Sequence, residues 1–270
     1  MEQDILRRAR NEKELYNKGI NRKRYNAHFG RANWGQGYAD IREKNIVSGV
    51  LKKGKGKNVL ELGSTSWHTF IDFHNYAPDH LTCINISEKE LEKGIAMSAK
   101  LCTRKYCQHE FQVMDAHNLE FPDGTFDIIF GNAILHHLNF ETALKELYRV
   151  LKPDGEIVFV EPLARNPVGK LVRRLTPDAR TPDEKLLDKE EFLILKRYFN
   201  LENSYFQLFY VPASVVSKYI FKSAENPVMY VADKVDCFLE RIFRKTNFCL
   251  YYRIVVIKGS PKKKKYRKRK

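Results

Sequence analysis

Between Asn58 and Pro162 short apolar runs alternate with amphipathic stretches. NVLEL from Asn58, LTCINI from Leu81, EFQVM from Glu110, FDIIFG from Phe126 and EIVFVE from Glu156 have the length and β-branched content of buried strands. The segments between them read as helices. One is expected over Phe70 to Asn75. A second runs from Glu88 to about Leu101, with Ser87 and Glu90 spaced as a capping box. A third, Phe140 to Leu151, lines up Leu144, Leu147, Tyr148 and Leu151 on one face and stops at Lys152-Pro153-Asp154-Gly155. Pro122-Asp123-Gly124 is a turn ahead of the fourth strand. Strands alternating with helices at this spacing predict an α/β fold with a mainly parallel sheet, helices on both faces and right-handed crossovers.

The flanks follow other patterns. Residues 1–45 are charged and helical in period, with an aromatic, glycine-rich loop, and predict an N-terminal helical cap. After Pro162 a basic, proline-punctuated stretch runs to Pro182, followed by a helix over Lys185 to Phe199. Tyr205 to Val211 and Leu250 to Ile257 read as further strands, with a helical insertion at about 211–247 before the last one. The expected organisation is a cap (1–45), a main domain (46–260, core 55–162) and a disordered basic tail (261–270).

Charge changes the picture mainly at the end of the chain. The 270 residues carry a formal +15, and the last nine hold eight lysines and arginines. Without them the body keeps 40 basic residues against 33 acidic ones. A tail of this kind suits an anionic membrane surface or non-specific nucleic-acid contact. Five scattered cysteines point to a reducing compartment rather than a disulfide scaffold. Cys102, Cys107 and His109 do not have zinc-site spacing, so no metal is expected. The charged N-terminus is unlike a signal peptide, and no run reaches the ~18 apolar residues of a membrane span. The expected location is cytoplasmic, with peripheral membrane contact left open.

The order NVLELG, CINIS, MDAHNLEFPDGTFDIIFGNAILHHL, ELYRVLKPDGEIVFVEP resembles the class I S-adenosylmethionine-dependent methyltransferases, specifically the broad group of quinone, sterol and sugar methyltransferases. The resemblance covers about residues 55–162. It implies a Rossmann-like seven-stranded sheet with the last strand antiparallel, and S-adenosylmethionine as cofactor. It also implies roles at the strand ends. Glu61 orients the first loop and meets the cofactor's amino-acid end, while Gly63 and Ser64 let the backbone approach. Asn85 and Ile86 face the ribose, Asp115 and Ala116 the adenine, and Asn132 the sulfonium. Two departures stand out. Thr65 and Trp67 occupy positions where the family's loop has further glycines, so Trp67 must swing outward or cover the cofactor as a lid. Asn85 replaces the acid that takes both ribose hydroxyls, leaving an amide that accepts from one and donates to the other.

Methyl transfer to a hydroxyl needs a base. His136 and His137 follow the fourth strand at the mouth of the site, Glu161 ends the fifth strand, and His68 is a weaker third choice. Tyr25, His28, Trp34 and Tyr38 in the cap, and Arg165, Arg173, Arg174 and Arg180 after the fifth strand, are the acceptor-side candidates. The reading is O-methylation of a small-molecule, glycan or lipid-linked acceptor such as a sugar. An RNA or protein methyltransferase and an inactive cofactor-binding scaffold remain as alternatives, the second motivated by Thr65, Trp67 and Asn85.

Overall fold

The structure is a computed structural model and describes residues 2–19, 37–63, 65–101, 103–177, 181, 183–221, 223 and 225–262. Tyr25, His28, Trp34, Ser64, Cys102, Arg180 and the tail from Lys263 onward lie outside the described residues.

Seven strands form one sheet in the order β3-β2-β1-β4-β5-β7-β6. They are β1 Asn58–Leu62, β2 His80–Asn85, β3 Gln108–Val113, β4 Phe126–Asn132, β5 Leu151–Pro162, β6 Phe199–Phe206 and β7 Ile254–Pro261. All neighbours are parallel except β7, which runs antiparallel to both β5 and β6. The chain reverses direction in sheet order between β1 and β4, which opens a crevice at their carboxyl ends.

Ten helices surround the sheet among the described residues: α1 Glu2–Lys18, α2 Tyr38–Leu51, α3 Trp67–Phe70, α4 Phe73–Tyr76, α5 Glu88–Leu101, α6 Phe140–Val150, α7 Pro167–Leu175, α8 Lys189–Tyr198, α9 Tyr210–Ile220 and α10 Pro227–Phe243. Strand alternation divides the core into two. Leu60, Leu62, Ile129 and Phe159 pack with Leu144 and Leu147 of α6 and Phe192 and Leu195 of α8. Val59, Leu81, Phe130 and Val158 pack on the other face with Val47 and Val50 of α2 and Trp67 and Phe70 of α3. Each such side chain taken fully out of water contributes about 1.5–3 kcal/mol, and burial on both faces is why the strands read as unbroken apolar runs.

The helix expected from Lys185 begins at Lys189, capped by Asp188, and four further elements differ from the sequence expectation, each for a local reason. The helix expected over 70–75 is two short ones, because Asp72 caps a new start by accepting from the N–H groups of His74 and Asn75. Strand β5 begins at Leu151 rather than Glu156. Leu151 pairs with Phe126 and Glu156 with Ile128, so the Lys152–Gly155 turn is absorbed as an irregularity inside the strand. Strand β6 occupies Phe199–Phe206 rather than 205–211. Gln207 takes φ 70, and Asp236 accepts from the N–H groups of Leu208, Phe209 and Tyr210 at 2.9, 2.8 and 3.2 Å, which starts α9 instead. Residues 247–251 form a 3-10 turn capped by Thr246, so β7 starts at Ile254.

Candidate active site

A cleft lies over the carboxyl ends of β1, β2 and β4, where open α/β sheets bind their ligands. Its first wall is the turn after β1. Gly63 has φ 100, a conformation that disfavours any side chain, and donates its N–H to the Ile84 carbonyl at 2.8 Å. A Cβ there would meet only Ile134 Cδ1, at 3.9 Å, so backbone geometry rather than lack of room demands the glycine. Asn85 holds this turn from the next strand. Its Nδ2 donates to the Gly63 carbonyl at 2.7 Å and its Oδ1 accepts from Ser87 N–H at 2.9 Å. An aspartate could not make the first bond, which gives the departure at Asn85 a structural use. One Nδ2 proton and one Oδ1 lone pair remain for a ligand.

Asp115 is fixed by the residue two positions on. Its Oδ1 accepts from the His117 N–H at 2.9 Å and from His117 Nδ1 at 2.6 Å, while His117 Nε2 accepts from Asn139 N–H at 2.7 Å. Burial would raise the Asp115 pKa, but the His117 hydrogen bonds outweigh it and hold the carboxyl below its usual range. Oδ2 makes no hydrogen bond among the described residues and stays available at the cleft, beside Ala116 and Met114.

The loop after β4 carries the second wall. Ala133 adopts φ 55 directly after Asn132. Glu161, fully buried, accepts from Ile134 and Leu135 N–H at 2.9 and 2.8 Å with one oxygen and from His136 Nδ1 at 2.7 Å with the other. This pins the 3-10 turn Leu135–His137. Glu161 therefore positions the loop and does not line the cleft. The same holds for His136. Its Nε2 lies 3.3 Å from Glu184 Oε1, so it sits between two carboxylates. Burial would lower its pKa, yet Glu161 and Glu184 outweigh burial and raise it to about 9. A buried imidazolium is no base at neutral pH, so the expectation of catalysis by His136 or Glu161 is corrected.

His137 does line the cleft. Its Nδ1 is 2.9 Å from Glu12 Oε1, and Tyr16 Oη lies 3.4 Å from Nε2. Glu12 and Tyr16 come from α1, which is fastened to α5 by Ser87 Oγ to Asn17 Oδ1 at 2.7 Å and by Lys13 to Glu88 at 2.6 Å. Sequence reasoning missed both residues. The available signal was the spacing of Ala9, Glu12 and Tyr16, which share one face of a charged helix and all reach the cleft. The donor atoms of His136, His137 and Glu184 lie within 4.8 Å of one another, and His136 Nε2 and Glu184 Oε1 pair directly with each other.

Ile86 lines the cleft beside Asn85, whereas Glu61, Trp67, Tyr38 and Arg165 do not. Glu61 is fully buried: Oε1 accepts from Ser66 N–H and Oγ–H at 2.8 and 2.6 Å, and Oε2 from Cys83 Sγ at 3.2 Å. Burial raises its pKa to about 7 despite these bonds. It shapes the loop from beneath and does not reach a ligand. Trp67 neither swings outward nor forms a lid. The turn at Ser66 directs it into the core, where it is 0% exposed and meets His109 edge-on at 4.7 Å and Phe73 at 5.6 Å. Tyr38 packs on Tyr230, and Arg165 pairs with Asp188 at 2.7 Å. His109 lies 3.0 Å from Ser98 Oγ and 3.3 Å from Cys83 Sγ. Cys83, Cys107, Cys237 and Cys249 are free thiols, and no described helix is long and apolar enough to cross a membrane.

Electrostatics separate this cleft from the rest of the chain. Among the described residues its lining contains Glu12, Glu90 and Asp115 and no lysine or arginine, in a protein of formal charge +15. The cleft suits a cationic ligand and repels a polyphosphate one. S-adenosylmethionine, with a sulfonium and an ammonium, fits this donor set. Strand order, the glycine turn, Asp115 at the end of β3 and the acidic cleft are those of a class I S-adenosylmethionine-dependent methyltransferase domain, which the chain resembles over its sheet core.

Comparison with known proteins agrees. Residues 60–159 match the family model described as a methyltransferase domain. The glycine/sarcosine/dimethylglycine N-methyltransferase of Actinopolyspora halophila is 29% identical over 108 residues, 37% of this chain and 18% of that protein. A demethylmenaquinone methyltransferase of Staphylococcus epidermidis is 30% identical over 123 residues, 44% of this chain and 48% of that protein. The chain thus matches less than half the length of either relative. Among solved structures, geranyl diphosphate C-methyltransferase from Streptomyces coelicolor A3(2) shares the fold, with a TM-score of 0.57 at 11% identity over 82% of this chain and 79% of that one.

Proposed function

We propose that the chain transfers a methyl group from S-adenosylmethionine to a hydroxyl of a small-molecule or lipid-linked acceptor such as a sugar. The observation that carries this reading is the juxtaposition of a carboxylate-lined cofactor cleft with a histidine held by a carboxylate, His137 on Glu12. When bound, S-adenosylmethionine supplies an electrophilic methyl group on sulfur for in-line displacement. Asp115 Oδ2 and the Ala116 backbone receive the adenine edge, Asn85 the ribose, and the open backbone at Gly63 the amino-acid end. Helix α1 acts as a cap that excludes water above them. His137, with Nδ1–H directed at Glu12, presents Nε2 to the acceptor hydroxyl and takes its proton as the C–O bond forms. Glu12 and Glu161 are positioning residues, one for the imidazole and one for the loop.

The buried placement of Trp67 supports catalysis over an inactive scaffold, because the side chain leaves the cleft open. Arg165 and Arg173 are already paired, with Asp188 and Glu184, which favours a neutral hydroxyl acceptor over one held by rim arginines. A cytoplasmic site of action belongs to the same proposal, in keeping with the free thiols. The test is transfer of isotope-labelled methyl from S-adenosylmethionine to a panel of sugars, quinols, amines and RNA. Label on a hydroxyl that falls about 10²–10⁴-fold in His137→Ala supports the reading; label confined to RNA or an amine overturns it.

A further inference from the structure

Helix α10 is amphipathic in the sense opposite to a helix that turns an apolar face to a core. All three of its carboxylates point inward. Asp233 pairs with Arg42 at 2.7 Å, Asp236 caps α9, and Glu240 binds Arg244 at 2.9 Å. The outward face instead carries Val231, Val235, Phe238 and Ile242, spaced four, three and four residues apart as one stripe. Phe238 is 63% and Ile242 55% exposed. The charges beside the stripe are Lys234, Arg241 and Lys245, all exposed and all positive. Helix α9, packed against α10, adds exposed Val216 and Ile220.

A surface that is apolar and purely cationic calls for a partner that is apolar beneath an anionic layer. We infer that the outward face of α10 docks on an anionic phospholipid bilayer. Phe238 and Ile242 enter the boundary between headgroups and acyl chains, and Lys234, Arg241 and Lys245 meet lipid phosphates. A second copy of the chain fits less well, because two-fold pairing sets each cationic edge against its own counterpart. The basic residues from Lys262 to Lys270 have the same sign. The inference is independent of the acceptor and of the methyl-transfer reading.

The test is co-sedimentation of the full chain with vesicles of one part phosphatidylglycerol to two parts phosphatidylcholine, and with pure phosphatidylcholine vesicles. The first should bind at least about tenfold more strongly. Phe238→Ser with Ile242→Ser should lower partitioning by about tenfold to a hundredfold. Lys234→Gln, Arg241→Gln and Lys245→Gln together should lower it about a hundredfold, at roughly fivefold per charge. All five positions are exposed, so thermal melting checks that the variants remain folded. Vesicle binding unchanged by both sets would assign the effect to the tail and overturn the inference. So would absence of binding to either vesicle, or a dimer in sedimentation equilibrium that the Phe238 and Ile242 substitutions dissociate.

Discussion

Glu184→Gln is the perturbation that reads the buried charge behind the site. In the folded protein His136 titrates at about 9 against an ordinary 6.5. Its proton is thus held more tightly folded than unfolded, a difference of about 3 kcal/mol. That stabilisation is complete below pH 6.5 and is lost as pH rises through about 9. Glu184, pulled down to about 2 by His136 and Arg173 against the opposing effect of burial, reports the same attraction from the other side and adds no second contribution. Glutamine keeps the shape and an acceptor for Nε2–H but removes one of the two carboxylates that raise the His136 pKa. The cost should be about 1.5 kcal/mol larger at pH 6 than at about pH 9.5, where His136 is mostly neutral in both proteins and only the loss of the Arg173 pair remains. Urea denaturation at both pH values, with equal m-values, measures it. A cost that is the same at both pH values would refute a charged His136.

Trp67→Ala should destabilise the fold by about 3–5 kcal/mol in urea while leaving cofactor affinity of the folded fraction within about threefold; a large affinity loss at unchanged stability would restore the lid. Gly131→Ala should cost about 1–3 kcal/mol by thermal melting, since its Cβ would lie 2.7 Å from Ile134 Cγ2 and 2.9 Å from Phe159 Cε1. Glu12→Gln should lower kcat about 10-fold to 100-fold without changing cofactor binding, as expected of a group acting through His137. An unchanged kcat would remove Glu12 from the mechanism.

The first five strands and the cleft's inner wall were legible because their causes are local. A parallel strand buried on both faces is a short apolar run, and Gly63, Asn85 and Asp115 stand where those runs end. What failed to show depends on distant partners. FQLFYV from Phe206 is as good a strand as a helix start until Asp236 takes its N–H groups. Glu12 joins His137 across 125 positions with no motif around it. The direction of Trp67 is decided by the backbone after Gly63, where Glu61 grips Ser66 from below. His136 and His137 are adjacent and chemically alike, yet one faces two carboxylates inside and the other faces the cleft. Only packing separates a structural imidazolium from a candidate base.

The central claim is that an acidic cleft in a basic protein holds S-adenosylmethionine. Calorimetric titration of the full chain with S-adenosylhomocysteine, with ATP as the polyanionic control, tests it most directly. The account predicts one site per chain, weakened about 10-fold to 100-fold by Asp115→Ala, and no ATP binding that competes for it. Absence of binding at millimolar S-adenosylhomocysteine, or displacement by ATP, would contradict it.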